Sequence, residues 1–250
     1  MIIYKSDEDI AKMRRAGRIV ATTIDAVLEA VEPGITTRYL DEIAEKVIRA
    51  EGGVPSFLGY RGFPASLCAS VNEQIVHGIP GPRVLEDGDI LSLDFGAIWE
   101  GFHGDSAVTV FVGSPPSAEA EKLVRTTEDA MYAGIAQIRA GGHLNDVGHA
   151  VQTVAEGAGF GVVREYVGHG IGRNLHEDPQ VPNYGQAGRG PKMKEGLVIA
   201  VEPMVNMGGW ETVLLPDKWT VVTADGSLSA HFEHTIAITS EGIEILTARS

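Results

Sequence analysis

The sequence predicts an α/β (α+β) fold built from two similar halves, and two observations support this prediction. An order of helix, helix and strands starts at the N-terminus and begins again near residue 118. In addition, Leu85–Asp94 matches Met193–Glu202 at an offset of 108 (202 minus 94), which also places Gly34 on Gly142. Chance is the alternative, because a glycine turn before a strand is a common local pattern. Fixed offsets of this kind are typical of repeated architectures.

The first half is predicted to begin with two helices. Ser6 is an expected N-cap, and apolar residues recur at three- and four-residue steps from Ile10 to Val31, until Pro33-Gly34 ends the helix. A second helix is expected from Thr36 or Thr37 to Gly52-Gly53.

Strands are then expected from about residue 69 to residue 112. Ile90–Phe95 and Ala107–Phe111 are rich in β-branched and aromatic residues and flank a turn at Trp99-Glu100-Gly101. The pattern therefore predicts a hairpin.

The second half is predicted to repeat this plan. One helix is expected from Ala118 to Gly141-Gly142 and another from about Asn145 to Glu156. We expect residues 1–250 to form one domain without an N-terminal extension, made of pseudo-repeats at about 7–112 and 118–245.

Charge and composition exclude several classes of protein. The chain has 34 acidic and 20 basic residues, a net charge of −14, which argues against nucleic-acid binding. No run of about 18 apolar residues is present, and the N-terminus lacks the pattern of a signal peptide. With Cys68 as its one cysteine, the chain cannot form an internal disulfide, and a cytoplasmic location is expected.

Acidic residues within the apolar strands are the first chemical signal. Asp94 ends an apolar run, and a hairpin would place Asp105 opposite or diagonal to it on the same face. Glu202 and Glu233 create the same situation in the second half. Buried carboxylates are costly unless they are paired or bind a cation. A metal-free pair of reacting carboxylates is the rival chemistry, but four acids are too many for it.

His169 is a fifth candidate ligand. Glycines at 168 and 170 leave room for close approach of backbone or substrate. The run Gly168, Gly170 and Gly172 is not the dinucleotide-binding fingerprint, because its spacing is G-x-G-x-G.

At this point the sequence resembles the type I methionine aminopeptidases, a subgroup of peptidase family M24, over nearly its whole length. Five segments in the family's order carry the resemblance: Cys68 to Pro80, Gly101-Phe102-His103-Gly104-Asp105, Gly168-His169-Gly170-Ile171-Gly172, Val201-Glu202-Pro203-Met204 and Glu233-His234-Thr235. The resemblance implies the pita-bread fold, in which two pseudo-symmetric halves with antiparallel sheets covered by helices surround a dinuclear metal site.

The resemblance also implies the site residues. Asp94 and Asp105 would bind one metal and His169 and Glu202 the other, with Asp105 and Glu233 bridging. Glu202 would also act as general base. His77 and His176 match the histidines that lie near the scissile nitrogen and stabilise the oxyanion. The methionine pocket is expected at Tyr60, Phe63, Cys68 and Trp219, with Leu175 replacing an aromatic residue often found in the family.

Further expectations concern cofactors, partners and substrate. Two divalent ions are expected, and oxygen-rich ligands suit cobalt, manganese, iron(II) or zinc. A monovalent cation near Asn72 and Ser229 is expected by analogy. The implied activity is removal of the initiator methionine from nascent polypeptides with a small second residue, by a monomer in transient contact with the ribosome. No membrane or specific nucleic-acid partner is expected.

Two other interpretations remain open at this stage. Proline-specific aminopeptidases and dipeptidases share the fold and ligand pattern but resemble the chain only in their C-terminal half. The other interpretation is a non-catalytic binding protein on the same fold. Such a protein would be expected to have lost metal ligands, whereas all five candidate ligands are present. A type II methionine aminopeptidase would need a helical insertion for which the 25 residues between His176 and Glu202 leave no room.

Overall fold

The computed structural model describes residues 1–249 as a mixed α/β protein. Four α-helices are present in this part of the chain: α1 Asp7–Leu28, α2 Thr37–Ala50, α3 Ala118–Ile135 and α4 Asn145–Gly157. A short 3-10 turn spans Tyr60–Gly62. None of the helices within residues 1–249 combines the length and the apolar composition needed to cross a bilayer.

Helix α1 begins where the sequence predicts and ends earlier. The Ser6 hydroxyl accepts a hydrogen bond from the Asp9 N–H, and the Asp9 carboxylate accepts one from the Ser6 N–H, which together form a capping box. At the other end the helix stops at Leu28, and the next residues form i to i−3 hydrogen bonds to Val27 and Leu28. Pro33 disfavours helical geometry in the residue before it, so the apolar run to Val31 continues as a turn.

Helix α3 also ends before the predicted glycines. It stops at Ile135, and Ile138 donates an i to i−3 hydrogen bond to Ile135. Helices α2 and α4 match the predicted starts, since Thr36 caps α2 and α4 begins at Asn145.

The strands pair antiparallel in four sheets, whose neighbour orders are β1-β4-β2 with β5 on β4, β13-β10-β6, β11-β12-β3, and β15-β14-β9-β7-β8. Their bounds are β1 Val54–Pro55, β2 Leu67–Val71, β3 Gln74–Val76, β4 Ile90–Trp99, β5 Phe102–Phe111, β6 Gly161–Val162, β7 Gly168–Gly170, β8 Glu177–Val181, β9 Val198–Val201, β10 Met204–Asn206, β11 Thr212–Leu214, β12 Val221–Thr223, β13 Ser229–His231, β14 His234–Thr239 and β15 Gly242–Ile245.

The predicted hairpin is β4–β5, and both strands are longer than predicted. Its two-residue loop is Glu100-Gly101, with φ of 46° and 79°, as a type I′ turn requires. Asp105 pairs with Gly96, two residues beyond Asp94 on the same face. The two acids are therefore diagonal neighbours, one of the two predicted arrangements.

Helix α1 packs closely on this hairpin. A Cβ atom at Gly104 would lie 2.7 Å from the backbone nitrogen of Gly17 on α1, so only glycine allows the contact. Ile19, Val20 and Ile24 on the same helix are fully buried in the main core. The helix thereby covers one face of the sheet and leaves the acids on the other side of the strands free to form a site.

Equivalent elements of the two halves keep the offset found in the sequence. β4 starts at Ile90 and β9 at Val198, while α2 starts at Thr37 and α4 at Asn145. Both pairs of first residues are 108 positions apart. The origin of the halves by duplication stays a prediction.

Candidate metal centre

Five strands or strand ends carry the predicted ligands to one place. Asp94 lies on β4, Asp105 on β5 and His169 on β7, while Glu202 directly follows β9 and Glu233 lies between β13 and β14. All five line the same cavity. Residues from both halves of the chain therefore meet at a single site.

The strands of the two halves are tied together at the acids themselves. The Thr235 hydroxyl donates to the Asp105 carbonyl over 2.7 Å and accepts from the Asp105 N–H over 3.0 Å. The Glu233 N–H donates to the Ala107 carbonyl over 2.9 Å, and the Ser106 hydroxyl donates to the Glu233 carbonyl over 2.6 Å. These bonds fix the backbone of Asp105 relative to that of Glu233.

The ligand atoms are close to one another. One ligand atom each from Asp105, His169 and Glu233 lies within 4.8 Å of the other two. The His169 Nε2 atom is 3.3 Å from Glu202 Oε1 and 3.9 Å from Asp105 Oδ2. Asp94 is the diagonal neighbour of Asp105 on the sheet.

Hydrogen bonding fixes the tautomer of His169. Its Nδ1 atom lies 2.9 Å from the Gly170 carbonyl, which can only accept, so Nδ1 carries the proton. Burial lowers the pKa of His169 to about 3, which keeps the imidazole neutral. The lone pair of Nε2 is therefore available on the side of the Asp105 and Glu202 oxygens, as ligation of a metal requires.

The carboxylates lack compensating charge from the protein. Burial, followed by repulsion from neighbouring acids, raises the pKa of Asp105 and Glu233 well above the usual range, and Glu202 behaves in the same way. Burial raises the pKa of Asp94 to about 7. Oxygen atoms of Asp94, Asp105 and Glu233 are buried without a hydrogen-bond partner.

These residues fit a divalent metal centre. The cluster offers unpartnered carboxylate oxygens and a neutral imidazole whose Nε2 lone pair is available. Within residues 1–249 no lysine or arginine is paired with these acids. A hard or borderline dication would supply both the missing ligand contacts and the missing positive charge. No thiolate belongs to the set, because burial raises the pKa of the neighbouring Cys68 thiol and keeps it protonated.

Two histidines flank this cluster. The His176 ring lies 4.3 Å from the His169 ring, and its Nδ1 atom is 2.8 Å from the Tyr60 hydroxyl. His77 has a φ of 61° and lines the same cavity. The next residue, Gly78, packs directly on strand β2, since a Cβ there would lie 2.2 Å from the Ala69 carbonyl oxygen. Strained backbone of this kind is concentrated at functional sites.

The opposite wall of the cavity is apolar. Phe63 and Trp219 make an edge-to-face contact with ring centroids 5.1 Å apart, and Cys68 is buried beside Asp94 on the neighbouring strand. Leu175 is also buried in this wall. The cavity therefore places an apolar pocket directly against the acidic cluster.

The structure brings together every predicted site residue around this one cavity, while their individual roles stay predictions. Sequence reasoning missed two lining residues, Phe57 and Arg61. Phe57 carries no signal beyond its hydrophobicity. Arg61 follows the predicted pocket residue Tyr60 in a glycine-rich loop, and this adjacency is the one sequence signal that could have marked it.

The residues of the predicted monovalent-cation site also lie together. The Ser229 N–H donates to the Asn72 carbonyl over 3.0 Å. The Asn72 amide group is occupied by the Asp89 carboxylate and the Ile90 N–H, and the Ser229 hydroxyl by Val205 and Asn206. A cation at this position stays a prediction.

Comparison with known proteins agrees with this geometry. A sequence model of metallopeptidase family M24 matches residues 11–240. Methionine aminopeptidase 1 of Bacillus subtilis (strain 168) is 53% identical over 247 residues, which cover 99% of each chain. The methionine aminopeptidase of Clostridium perfringens is 54% identical over 247 residues, again 99% of each chain.

Solved structures show the same relationship. The crystal structure of methionine aminopeptidase from Thermotoga maritima superposes with a TM-score of 0.97 at 44% identity and covers 100% of both chains. Prolidase from Pyrococcus furiosus is 20% identical with a TM-score of 0.79, and the match covers 66% of that chain. The second likeness shows the shared fold alone.

The comparisons confirm the family and the pita-bread fold that the sequence motifs indicated, and they do not favour the proline-specific alternative. Membership of a metallopeptidase family, together with the buried acidic cluster, makes the protein dependent on divalent metal. The chain belongs to metallopeptidase family M24, among the methionine aminopeptidases.

Proposed function

We propose that this protein removes the N-terminal methionine from polypeptides whose second residue is small. The observation that carries the proposal is the buried cluster of four carboxylates and one neutral imidazole next to a pocket lined by aromatic rings and a thiol. Thioethers make favourable contacts with aromatic rings, so this pocket suits a methionine side chain.

The cluster would hold two divalent ions. In the proposal Asp94 and Asp105 bind one ion, His169 and Glu202 bind the other, and Asp105 and Glu233 are shared between them. Bound ions supply Lewis acidity that activates water and polarises a peptide carbonyl. Cobalt, manganese, iron(II) and zinc all suit this donor set, and we propose a monovalent cation near Asn72 and Ser229 in addition.

The protein's own groups direct the proton and the substrate. Glu202 takes the proton of the attacking water and delivers it to the departing amine, because its carboxylate lies within the cluster, with Oε1 3.3 Å from His169 Nε2. His77, whose pKa burial lowers to about 4, is neutral and can hydrogen-bond to the scissile peptide nitrogen. It does so from the apolar side of the cavity, where its ring contacts Tyr166 and Trp219.

His176 stabilises the developing oxyanion. A Tyr60 hydroxyl that donates to Nδ1 leaves the ring proton on Nε2, where it can be donated to the substrate oxygen. The Tyr60 ring stacks on the His176 ring at 5.4 Å and limits its rotation. Tyr60 thus serves both the methionine pocket and the oxyanion contact.

Location and partners belong to the same proposal. We propose that the enzyme is a cytoplasmic monomer forming a single catalytic domain and meets nascent chains in transient contact with the ribosome. Despite the charge of −14, several exposed basic residues lie where the β8–β9 connection packs on the loop before α4, through hydrogen bonds from the N–H groups of Gly141, Leu144 and Asn145. The exposed residues there include Arg139, Arg189, Lys192 and Lys194.

The experiment that tests the proposal compares two peptide classes. Purified protein supplied with manganese or cobalt is given Met-Ala-Ser and, separately, an Ala-Pro peptide of equal length, and the released amino acid is identified by mass spectrometry. We expect free methionine from the first peptide and at most a trace of product from the second. Preferential cleavage of the Xaa-Pro bond would overturn the assignment.

A further inference from the structure

The mouth of the cavity is formed by two exposed residues. Of the fourteen residues that line it, only Arg61 and His176 are exposed, and the others are buried or half-buried. A polypeptide whose first side chain lies against Phe63 and Trp219 can leave the cavity past this pair, where the lining is exposed. On this path Arg61 would lie beside the segment of substrate that follows the scissile bond.

Arg61 lies in a tight loop with an unusual backbone conformation. Arg61 has a left-handed conformation, with φ of 49° and ψ of 23°, between Gly59 and Gly62. The Gly59 N–H donates to the Phe63 carbonyl over 2.8 Å, and the Phe63 N–H donates to Tyr60 over 2.9 Å, which closes the loop. A non-glycine residue in this conformation is strained, and such strain is common at ligand sites.

The guanidinium is held close to the reacting groups and lacks an acidic partner. It lies 5.3 Å from the centroid of the Tyr60 ring, whose other neighbour is His176. Burial and then the charge of Arg61 lower the pKa of His176, which agrees with their proximity. Within residues 1–249 no carboxylate comes within 4.0 Å of Arg61, whereas several other arginines are paired. The cation is free to bind a substrate group.

We infer that Arg61 is a specificity-determining residue that favours polypeptides with an acidic side chain at their third position. The inference rests on the proposed function, which places residue one in the pocket and the small second residue beside His77 and His176. An extended chain advances about 3.3–3.6 Å per residue, so the third residue lies about 7 Å beyond the first, on the far side of the small second residue. The protein as a whole repels acidic peptides because its net charge is −14, and Arg61 offsets this repulsion locally.

The test uses three peptides that differ only at the third residue: Met-Ala-Glu-Ser, Met-Ala-Gln-Ser and Met-Ala-Lys-Ser. Values of kcat/KM are measured for the metal-loaded wild type and for Arg61→Gln, Arg61→Glu and Arg61→Lys. Arg125→Gln is the matched control, because Arg125 is also exposed but lies on α3, outside the cavity.

The decisive quantity is the ratio of kcat/KM for the Glu peptide to that for the Lys peptide. An exposed ion pair predicts that Arg61→Gln lowers this ratio about two- to fivefold, that Arg61→Glu lowers it further and that Arg61→Lys keeps most of it. The wild-type ratio should fall in 1 M salt, where the Debye length is about 3 Å, and Arg125→Gln should leave it unchanged.

An equal ratio in the wild type and Arg61→Gln overturns the inference while leaving the proposed function intact. A wild type that releases methionine from none of the three peptides overturns the proposed function and the inference together.

Discussion

Lys5 and Glu177 form a buried ion pair whose disruption should be costly. The Lys5 ammonium lies 2.7 Å from Glu177 Oε2, and the two side chains are only 3% and 4% exposed. Lys5 also donates to the Ile3 carbonyl, and Glu177 Oε1 accepts from the Asn174 N–H. Lys5→Met leaves the Glu177 carboxylate buried without its cation, which costs about 3–5 kcal/mol. For a chain of this size that corresponds to a fall in Tm of about 6–20 °C.

The matched comparison is a surface pair of better geometry. Arg14 contacts Glu244 through two hydrogen bonds of 2.5 and 2.7 Å, but the side chains are 39% and 34% exposed. Arg14→Met should therefore cost less than about 1 kcal/mol. The contrast isolates burial, because both variants replace a cation by methionine.

Urea denaturation at fixed metal concentration measures both free energies of unfolding. The double variant Lys5→Met/Glu177→Gln removes the stranded charge and should recover more than half of the loss. Because Glu177 follows His176 directly, Lys5→Met should also lower kcat at urea concentrations too low to unfold the protein. A Lys5→Met cost equal to that of Arg14→Met, or a double variant no more stable than the single one, would refute the reasoning.

Two further substitutions test the centre itself. Asp105→Asn removes a buried negative charge whose Oδ1 atom has no hydrogen-bond partner, so the metal-free protein should keep its stability. It should lose the metal-induced rise in Tm, which in the wild type is about 5–10 °C at 100 times the Kd. Calorimetry with and without manganese checks both statements, and unfolding of metal-free Asp105→Asn would contradict them. Thr235→Val strands the buried N–H and carbonyl of Asp105 and should cost about 1–3 kcal/mol for each. Thr239→Val is its control, because that hydroxyl bonds only at the exposed β14–β15 turn, and equal costs measured by denaturation would sink the argument.

Local signals in the sequence predict much of the fold. Ser6 and Thr36 cap helices as expected, and the residues Glu100 and Gly101 form the predicted turn. The strands β4 and β5 extend beyond the prediction because Gly96 and Gly104 interrupt the apolar pattern. These two glycines allow close packing between segments that are distant in the sequence. A Cβ at Gly96, for example, would lie 2.6 Å from the Cβ of Ser56. Contacts between distant segments are not readable from local propensity.

The site, too, could be predicted only in part from local sequence signals. The diagonal placement of Asp94 and Asp105 on one face of the hairpin follows from strand alternation and hairpin geometry alone. His169, Glu202 and Glu233 were candidate ligands from their own segments, but their places in one dinuclear site came from the family resemblance, because no spacing rule brings β7, the end of β9 and the β13–β14 connection together. Arg61 was missed since it belongs to neither a periodic pattern nor a quoted motif. Its importance depends on the three-dimensional fact that it is exposed at the mouth.

The central claim is that the carboxylate and imidazole cluster holds the ions on which peptide hydrolysis depends. The most direct measurement titrates chelator-treated protein with manganese and records bound metal by elemental analysis together with methionine release from Met-Ala-Ser. Activity should appear only as metal occupies the site, with up to two ions per chain, and Glu233→Gln should reduce both quantities together. Full activity in metal-free protein, or metal binding unaffected by Glu233→Gln and Asp105→Asn, would contradict the claim.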